Sequence, residues 1–318
     1  MSGIDYATYG TPRADLGEAL QEYIDSDMNY IGTQVYPVTP VDVEGGTYSC
    51  IVRETMTARA DTKRGDNAEY KRVIIKAEDK TFACIEHGLE GQVSQKVRRR
   101  YMNDFDAEMA TAKKILGTLM REQEIRIASS VFNTGTWTGS DLYLDVTTVW
   151  SDAAATAIAD VQFAKAKIFA NTGMEANSLI LNRNNLQYLL TNTLILDKIK
   201  YTQLAGQNNV NAALANVFGL DQILVGKGVY NTKPEGGTAF SGSPIWSDSY
   251  AMVAYVPPNA DPSEPAVGRT FLWREDSPTN VVAESYEENQ TRSTVLRVRQ
   301  NTDENRIDPY FGFLLKID

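Results

Sequence analysis

The chain has 318 residues, a formal net charge of −10, 42% hydrophobic and 23% charged residues, one histidine and two cysteines. This is globular composition, long enough for one large domain or two ordinary ones, and its acidic balance weighs against a protein whose main work is gripping nucleic acid. A lone histidine excludes sites needing two, no run nears the roughly 18 apolar residues of a membrane span, and the N-terminus lacks a signal-peptide pattern, so a soluble, intracellular protein is expected.

Residues 1–47 hold a short helical pattern around Leu16–Ile24, then YIGTQVYPVTPVDVEGG, with two prolines and no sustained period. The segment reads as an extended arm that must find its partners elsewhere. Residues 48–86 read as a long β-hairpin. Its flanks, TYSCIVRETMTAR and EYKRVIIKAEDKTFACIE, are rich in β-branched and aromatic residues, and the polar DTKRGDNA between them centres on Gly65. An isolated two-stranded ribbon with so many charges is marginal in water, so the hairpin is expected to pack against another chain. Cys50 and Cys84 lie on its opposite flanks. A disulfide is open to them if register allows, while two reduced thiols suit a cytosolic chain better. His87, beside Gly88 with no nucleophile motif nearby, reads as a structural or surface histidine.

Val93, Val97, Tyr101, Phe105, Met109, Ala112, Leu116 and Leu119 fall on one helical face. They predict a spine helix over 92–134, closed by Gly135 and about 60 Å long at 1.5 Å per residue. The spacing is too irregular for a heptad coiled coil. This is the one net-basic stretch of the chain, largely through Lys96, Arg98, Arg99 and Arg100. Asp104, Asp106 and Glu108 follow within two turns, so the cluster reads as a solvated or subunit-facing surface with local ion pairs; a nucleic-acid contact is the weaker alternative.

Residues 150–256 alternate helix and strand. WSDAAATAIADVQFAKAKIFANTG predicts a helix with Ser151 or Asp152 as N-cap and Gly173 as its stop. NSLILN predicts a buried strand, RNNLQYLLTN and VNAALANVFG helices, QILVGK a strand, and PIWSDSYAMVAYV a strand pair or one long strand. Helices packed over a sheet follow from that alternation. YNTKPEGGTAFSG is a glycine-rich loop, and PPNADPSEPAVG (257–268) a boundary loop. TFLW, VVAESYEEN, STVLRVRQN and YFGFLLKID then read as short strands.

Chemical motifs fail on inspection. Asp25, Asp27 and Asn29 open like an EF-hand loop, but Tyr30 and Tyr36 stand where Gly and Glu are needed. Gly226–Lys227–Gly228 lacks the Ser or Thr of a phosphate loop and reads as a glycine-rich strand end. Glu284, Glu287 and Glu288 beside Arg292 read as clustered surface charge, with paired-carboxylate glycoside chemistry as the alternative.

In their order, the arm, hairpin, spine, α/β region and final strands resemble the tailed-bacteriophage major capsid proteins of the Hong Kong 97 fold. IFANTGMEANSLILNRNNLQYLLTN (168–192) is similar to that family's sequence of helix, Thr-Gly, buried strand and a helix with a Tyr/Leu face. Arg269–Thr270–Phe271–Leu272–Trp273 and the aromatic-glycine strand Tyr310–Phe311–Gly312–Phe313 also look like the family. The resemblance implies an α+β, Hong Kong 97-like capsid fold. Its parts would be an N-terminal arm (1–47), an extended β-hairpin loop (48–91), a peripheral domain with the long spine helix (92–147), an axial α/β domain (148–268) and strands returning to the peripheral domain (269–318).

The same resemblance implies a major capsid protein, not an enzyme, with no cofactor or metal. Copies would self-assemble into hexamers and pentamers of an icosahedral shell that encloses double-stranded DNA without sequence-specific binding. Portal and decoration proteins are further expected partners. The chain starts at Met1 almost directly with the arm, which implies a separate scaffolding protein or none. Its place would be the virion capsid, assembled in the host cytoplasm, with no membrane contact. Candidate inter-subunit contacts are Lys63, Arg64, Asp66 and Glu69 at the extended-loop tip, the spine cluster Lys96, Arg98, Arg99 and Arg100, and the axial-loop residues Glu235, Gly236 and Gly237. Two alternatives stand beside this reading: an encapsulin-type nanocompartment shell, and a soluble α/β carboxylate enzyme with its site in 150–256.

Overall fold

The computed structural model describes residues 11–318 except 14, 15, 17, 18, 21, 23, 25–28, 52–56, 58, 60, 67, 68, 71, 73–75, 102–105, 202–209, 234–239, 259–263 and 279. Two mixed sheets organise it. The first is built around β14 (Ser293–Arg306), whose long run of alternating residues gives it both an apolar and a charged face. Along one edge β14 pairs antiparallel with β13 (Val282–Glu288) and, further on, with β12 (Gly268–Trp273). β1 (Thr11–Pro12) extends β13, and β2 (Val38–Val41) joins β12 in parallel. Along the other edge lies β5 (Ile85–Ser94), paired antiparallel over its whole length. The outer edge of β5 carries no strand among the described residues.

β5 corrects two boundaries. Residues 85–91 were expected in the extended loop, and 92–94 in the spine helix; all ten form one strand of the first sheet. The hairpin proper is β3 (Gly45–Ile51) against β4 (Ala77–Ala83), in register from Gly45↔Ala83 to Ile51↔Ala77. Cys50 therefore faces Glu78 across the ladder, Cys84 lies beyond its end, and both cysteines are free. Burial pushes the Cys84 thiol up to about 11.

The single 92–134 helix is also corrected. A short helix, α2 (Gln95–Tyr101), is followed by the spine proper, α3 (Ala107–Val131), which is about 37 Å long at 1.5 Å per residue. The new start has a local cause. The Asp106 carboxylate accepts hydrogen bonds from the backbone N–H of Glu108 (2.9 Å) and Met109 (3.3 Å). Such an N-cap satisfies donors that a continuous helix would have bonded backwards, and so favours a fresh start over continuation.

α3 serves both sheets. Its first half packs Ala112, Ile115, Leu116 and Leu119 against Val93, Leu296 and Val298 of the first sheet, together with Leu16 and Leu20 from the arm. Its last turns place Ile127, Ala128 and Val131 in the core beneath the second sheet. One partly buried pair fixes it further: Arg126 donates to Glu304 on β14 at 2.8 and 2.9 Å, with Gln123 and Thr302 as additional donors to the same carboxylate. Burial alone would raise the Glu304 carboxyl, but the Arg126 hydrogen bonds and charge hold it below the ordinary range. A lowered folded-state value contributes stability that is present above the unfolded value and lost as pH falls through the folded one. Replacing Arg126 by methionine should therefore cost on the order of 2 kcal/mol at pH 7. The lone buried carboxyl then titrates high, so the deficit should narrow on acidification to pH 4. Urea midpoints of the two proteins at both pH values check this; a gap that widens in acid would refute it.

The second sheet has the order β6-β15-β11-β7-β8: β6 (Tyr143–Asp145), β15 (Gly312–Lys316), β11 (Tyr250–Ala254), β7 (Ser178–Asn182) and β8 (Gln222–Gly226). β7 is buried along its length, as expected for NSLILN. α4 (Ala157–Thr172) ends on Gly173 at φ +74°, the left-handed stop expected there. It starts five residues later than Ser151, or four later than Asp152, would place it, because the Asp152 carboxylate caps a separate turn by accepting from the N–H of Ala154 (2.9 Å). α5 (Arg183–Thr191) and α7 (Val210–Phe218) match expectation, while α6 (Thr193–Tyr201) does not appear in the sequence reading. The final block divides: β12, β13 and β14 belong to the first sheet, but β15 lies at the heart of the second, and β6, placed with the peripheral part, joins it. YAMVA alone of PIWSDSYAMVAYV contributes a strand to that sheet.

The arm is less dependent on outside partners than its sequence suggested. Leu16 and Leu20 are buried on the chain's own core, and Val35 and Tyr36 of the segment around α1 (Gly32–Val35) are fully buried. β2 continues it into the first sheet. Within the segment read as an extended arm, this strand sets Pro40 opposite Leu272 at the margin of the sheet, where proline is tolerated.

Candidate assembly interface

The hairpin is clamped at its base and exposed beyond it. Phe82 stacks on Phe271 (ring centroids 4.8 Å apart) and Tyr48 tilts against the same ring at 4.9 Å. The N–H of Ala83 donates to Asp303 (2.9 Å), that of Cys84 to the Glu44 carbonyl (2.8 Å), and the Lys80 ammonium to the Ile307 carbonyl. Past Ala77 the described residues are exposed, including the tip candidates Lys63, Arg64, Asp66 and Glu69. At the tip the Arg64 guanidinium lies 4.3 Å from the centre of the Tyr70 ring and donates to its hydroxyl at 3.2 Å. Tyr70 is itself 77% exposed. A large aromatic held in water by a cation is surface presented outward, as interface anchors are.

Lys96, Arg98, Arg99 and Arg100 all lie exposed on α2. Among the described residues the expected local ion pairing is seen at Arg98, which meets Glu108 at 3.1 Å, and Glu108 also takes Arg13 at 3.6 Å. Asp106 is spent on capping α3, and Asp104 lies outside the described residues. Glu235, Gly236 and Gly237 also lie outside them. Their loop is flanked by the short hairpin β9 (Val229–Asn231) and β10 (Gly242–Pro244), with Phe240 77% exposed beside it. No hydrogen bond or ion pair among the described residues joins the tip, the basic helix and this loop.

The carboxylates Glu284, Glu287 and Glu288 are tied down. Glu284 is shared by Arg297 (3.4 Å) and Arg299 (3.1 Å), Arg299 reaches on to Asp276, and Arg297 to Glu90 at 2.7 Å. The result is a ladder of alternating charge across β13, β14 and β5. Glu287 accepts from Thr294, and Glu288 from Gln92 and Thr291. A cleft of about 200 Å³ does open at the carboxyl ends of the parallel strands β7 and β8, the usual ligand position in such sheets. Among the described residues Asn182, Arg183, Asn184, Lys227, Val229, Pro244 and three glycines line it, with no carboxylate.

One group of structural importance escaped the sequence reading. Glu124, 2% exposed, accepts the backbone N–H of Ile31 (2.9 Å) and Gly32 (2.6 Å) and the indole N–H of Trp246 (2.5 Å). It joins arm, spine and the loop leading into β11. The signal was present as an acidic residue sitting within the apolar stripe from Leu116 to Ile127.

No protein-family model matches the sequence, and no curated protein does. Solved structures do match in fold. A phage-related protein from Bordetella bronchiseptica RB50 is 21% identical with a TM-score of 0.73, over 96% of this chain and 97% of that one. A virus-like particle protein from Pyrococcus furiosus is 12% identical with a TM-score of 0.58, over 98% and 100%. The capsid protein of the cyanophage P-SCSP1u is 10% identical with a TM-score of 0.56, over 89% and 86%. With two sheets bridged by a spine helix and a hairpin projecting from the first, the chain has the Hong Kong 97-like fold of phage capsid proteins.

Proposed function

We propose that the chain is a shell subunit, a major capsid protein whose copies associate with one another into a closed container. The observation that carries this reading is the match in fold, over nearly its whole length, to a phage-related protein, a virus-like particle protein and a cyanophage capsid protein. The clamped hairpin with an exposed, charged tip supports it, since such a limb leaves surface that only a neighbour can cover. In the finer form of the proposal the copies form hexamers and pentamers of an icosahedral shell, built in the host cytoplasm. The role is structural rather than catalytic. The shell encloses double-stranded DNA held without sequence-specific contacts, in keeping with a net charge of −10. Scaffolding, portal and decoration proteins are the further partners this form calls for.

The likeness to the Pyrococcus furiosus virus-like particle supports a second reading, an encapsulin-type compartment that holds protein cargo in place of a genome. Purification of the full chain followed by negative-stain microscopy and sedimentation tests both. Closed particles are expected; a species that stays monomeric at high concentration, with or without the products of co-expressed neighbouring genes, would refute the shell. Nuclease-protected DNA within the particles supports the capsid, and co-purifying enzyme without nucleic acid the compartment. Tip pairing between copies is expected to be salt-sensitive, because exposed ion pairs are worth about 0–1 kcal/mol each and are screened.

A further inference from the structure

The short helix α2 has no buried face: the side chains of residues 95–100 are all exposed. Its start has a local cause, since the Ser94 hydroxyl accepts the Val97 N–H at 3.3 Å. Three of its four cations, Lys96, Arg99 and Arg100, stand at i, i+3 and i+4 and so share one side of the helix. Arg98 falls on the opposite side, where Glu108 takes it at 3.1 Å. Arg292 belongs to the same surface. Its carbonyl accepts the Gln95 N–H at 3.1 Å, and the residue is exposed in the turn between β13 and β14.

This arrangement is unfavourable for the helix alone. Like charges three and four positions apart repel, and Lys96 sits in the first turn, where the helix dipole disfavours a cation. Among the described residues no ion pair relieves Lys96, Arg99, Arg100 or Arg292. The carboxylates of neighbouring elements are engaged elsewhere. Glu108 is shared by Arg98 and Arg13, Asp106 caps α3, and Glu288 accepts from Gln92 and Thr291. In a chain of net charge −10, four such cations gathered at one end of the first sheet call for an anion from outside.

The kind of anion follows from what the surface lacks. Protein interfaces are anchored by apolar or aromatic side chains and are poor in lysine at their centre. Among the described side chains of α2, Val97 is the one apolar group. A nucleic-acid backbone needs only positive charge on mobile stems, and offers no base readout in return.

We propose that Lys96, Arg99, Arg100 and Arg292 form a phosphate-contacting surface for double-stranded nucleic acid, engaged without regard to sequence. The proposal rests on the DNA-container reading above and adds the place where wall meets contents. It sets this end of the first sheet toward the interior of the shell.

The test uses the full chain, held below the concentration at which it assembles, and a labelled duplex of about 30 base pairs followed by fluorescence anisotropy. Each phosphate contact contributes about −0.9 to the slope of log K against log salt, so four contacts predict about −3.6. The triple variant Lys96→Gln, Arg99→Gln, Arg100→Gln should reduce the slope to about −0.9 and weaken binding at about 100 mM salt at least tenfold. Lys198→Gln with Lys233→Gln, two exposed lysines elsewhere, should leave the slope in place and so separates this surface from the effect of net charge. The three α2 positions are exposed, and circular dichroism verifies that the triple variant folds. An unchanged slope and affinity in the triple variant would overturn the proposal. A poly-glutamate peptide that binds as tightly at the same salt would also overturn it, assigning the surface to an acidic protein segment. Duplex binding by a chain that never forms particles would keep the surface and remove the shell. A chain that forms particles but binds no duplex in its unassembled state would do the reverse.

Discussion

Glu124→Ala should lower the free energy of unfolding by about 3–5 kcal/mol, among the largest losses available to a single side chain in this protein. The alanine removes the acceptor of three buried donors at once, the backbone N–H groups of Ile31 and Gly32 and the indole N–H of Trp246. Water cannot replace it without opening the core, since Ile31 and Trp246 are themselves 4% and 0% exposed. Glu124→Gln keeps the shape and one acceptor but turns an amide toward donors, so a loss of about half that size is expected. Urea titration of both variants gives the comparison. A loss below about 1 kcal/mol for the alanine variant would mean that the three donors find other acceptors.

The second large effect is steric. Gly268 opens β12 directly against the ring of Tyr36, so that a methyl group at position 268 would overlap three ring atoms. Tyr36 has nowhere to go: it is fully buried, and its hydroxyl sits 3.1 Å from that of Ser130 on the spine helix. Gly268→Ala should therefore cost about 2–3 kcal/mol through overpacking. The cost should fall by more than half when Tyr36 is shortened to leucine, since the two changes share one volume and cannot be additive. A double-mutant cycle by thermal or urea unfolding measures the coupling; strict additivity would place the strain elsewhere.

The order of elements was legible in the sequence because each has a local cause. β7 is a buried five-residue strand centred on the apolar run Leu179–Leu181, α4 stops at a glycine, and the hairpin flanks are rich in β-branched residues around a polar turn. Pairing partners were not legible, because strand neighbours are chosen by the whole core. YFGFLLKID reads as one more strand of the final group, yet β15 is captured by the second sheet, where Phe313 and Leu315 complete one core and Leu314 another. The spine was overextended for a related reason. The period of Val93, Val97 and Tyr101 runs smoothly into Met109, but a strand at 85–94 is stabilised by β14, far away in sequence, and an aspartate cap at 106 outweighs a continuous stripe. Of the candidate contacts, the exposure of the tip follows from its charges. Glu124 stayed hidden because a buried carboxylate becomes affordable only once its donors, from segments 92 and 122 positions away, are in place.

The position of β15 also sets the order in which the molecule can come into being. It pairs with β6 on one side and β11 on the other, and its Lys316 meets Asp145 across 171 positions of chain. While the polypeptide is being synthesised, β6 and β11 exist as two separate edges, and no amount of waiting can join them until the ribosome has read past Lys316. A nascent chain therefore holds both strands of the hairpin well before Phe271, Asp303 and Ile307, which clamp its base, have been made. Fragments that stop short of β15 are left with β6 and β11 unjoined and the second sheet in two parts.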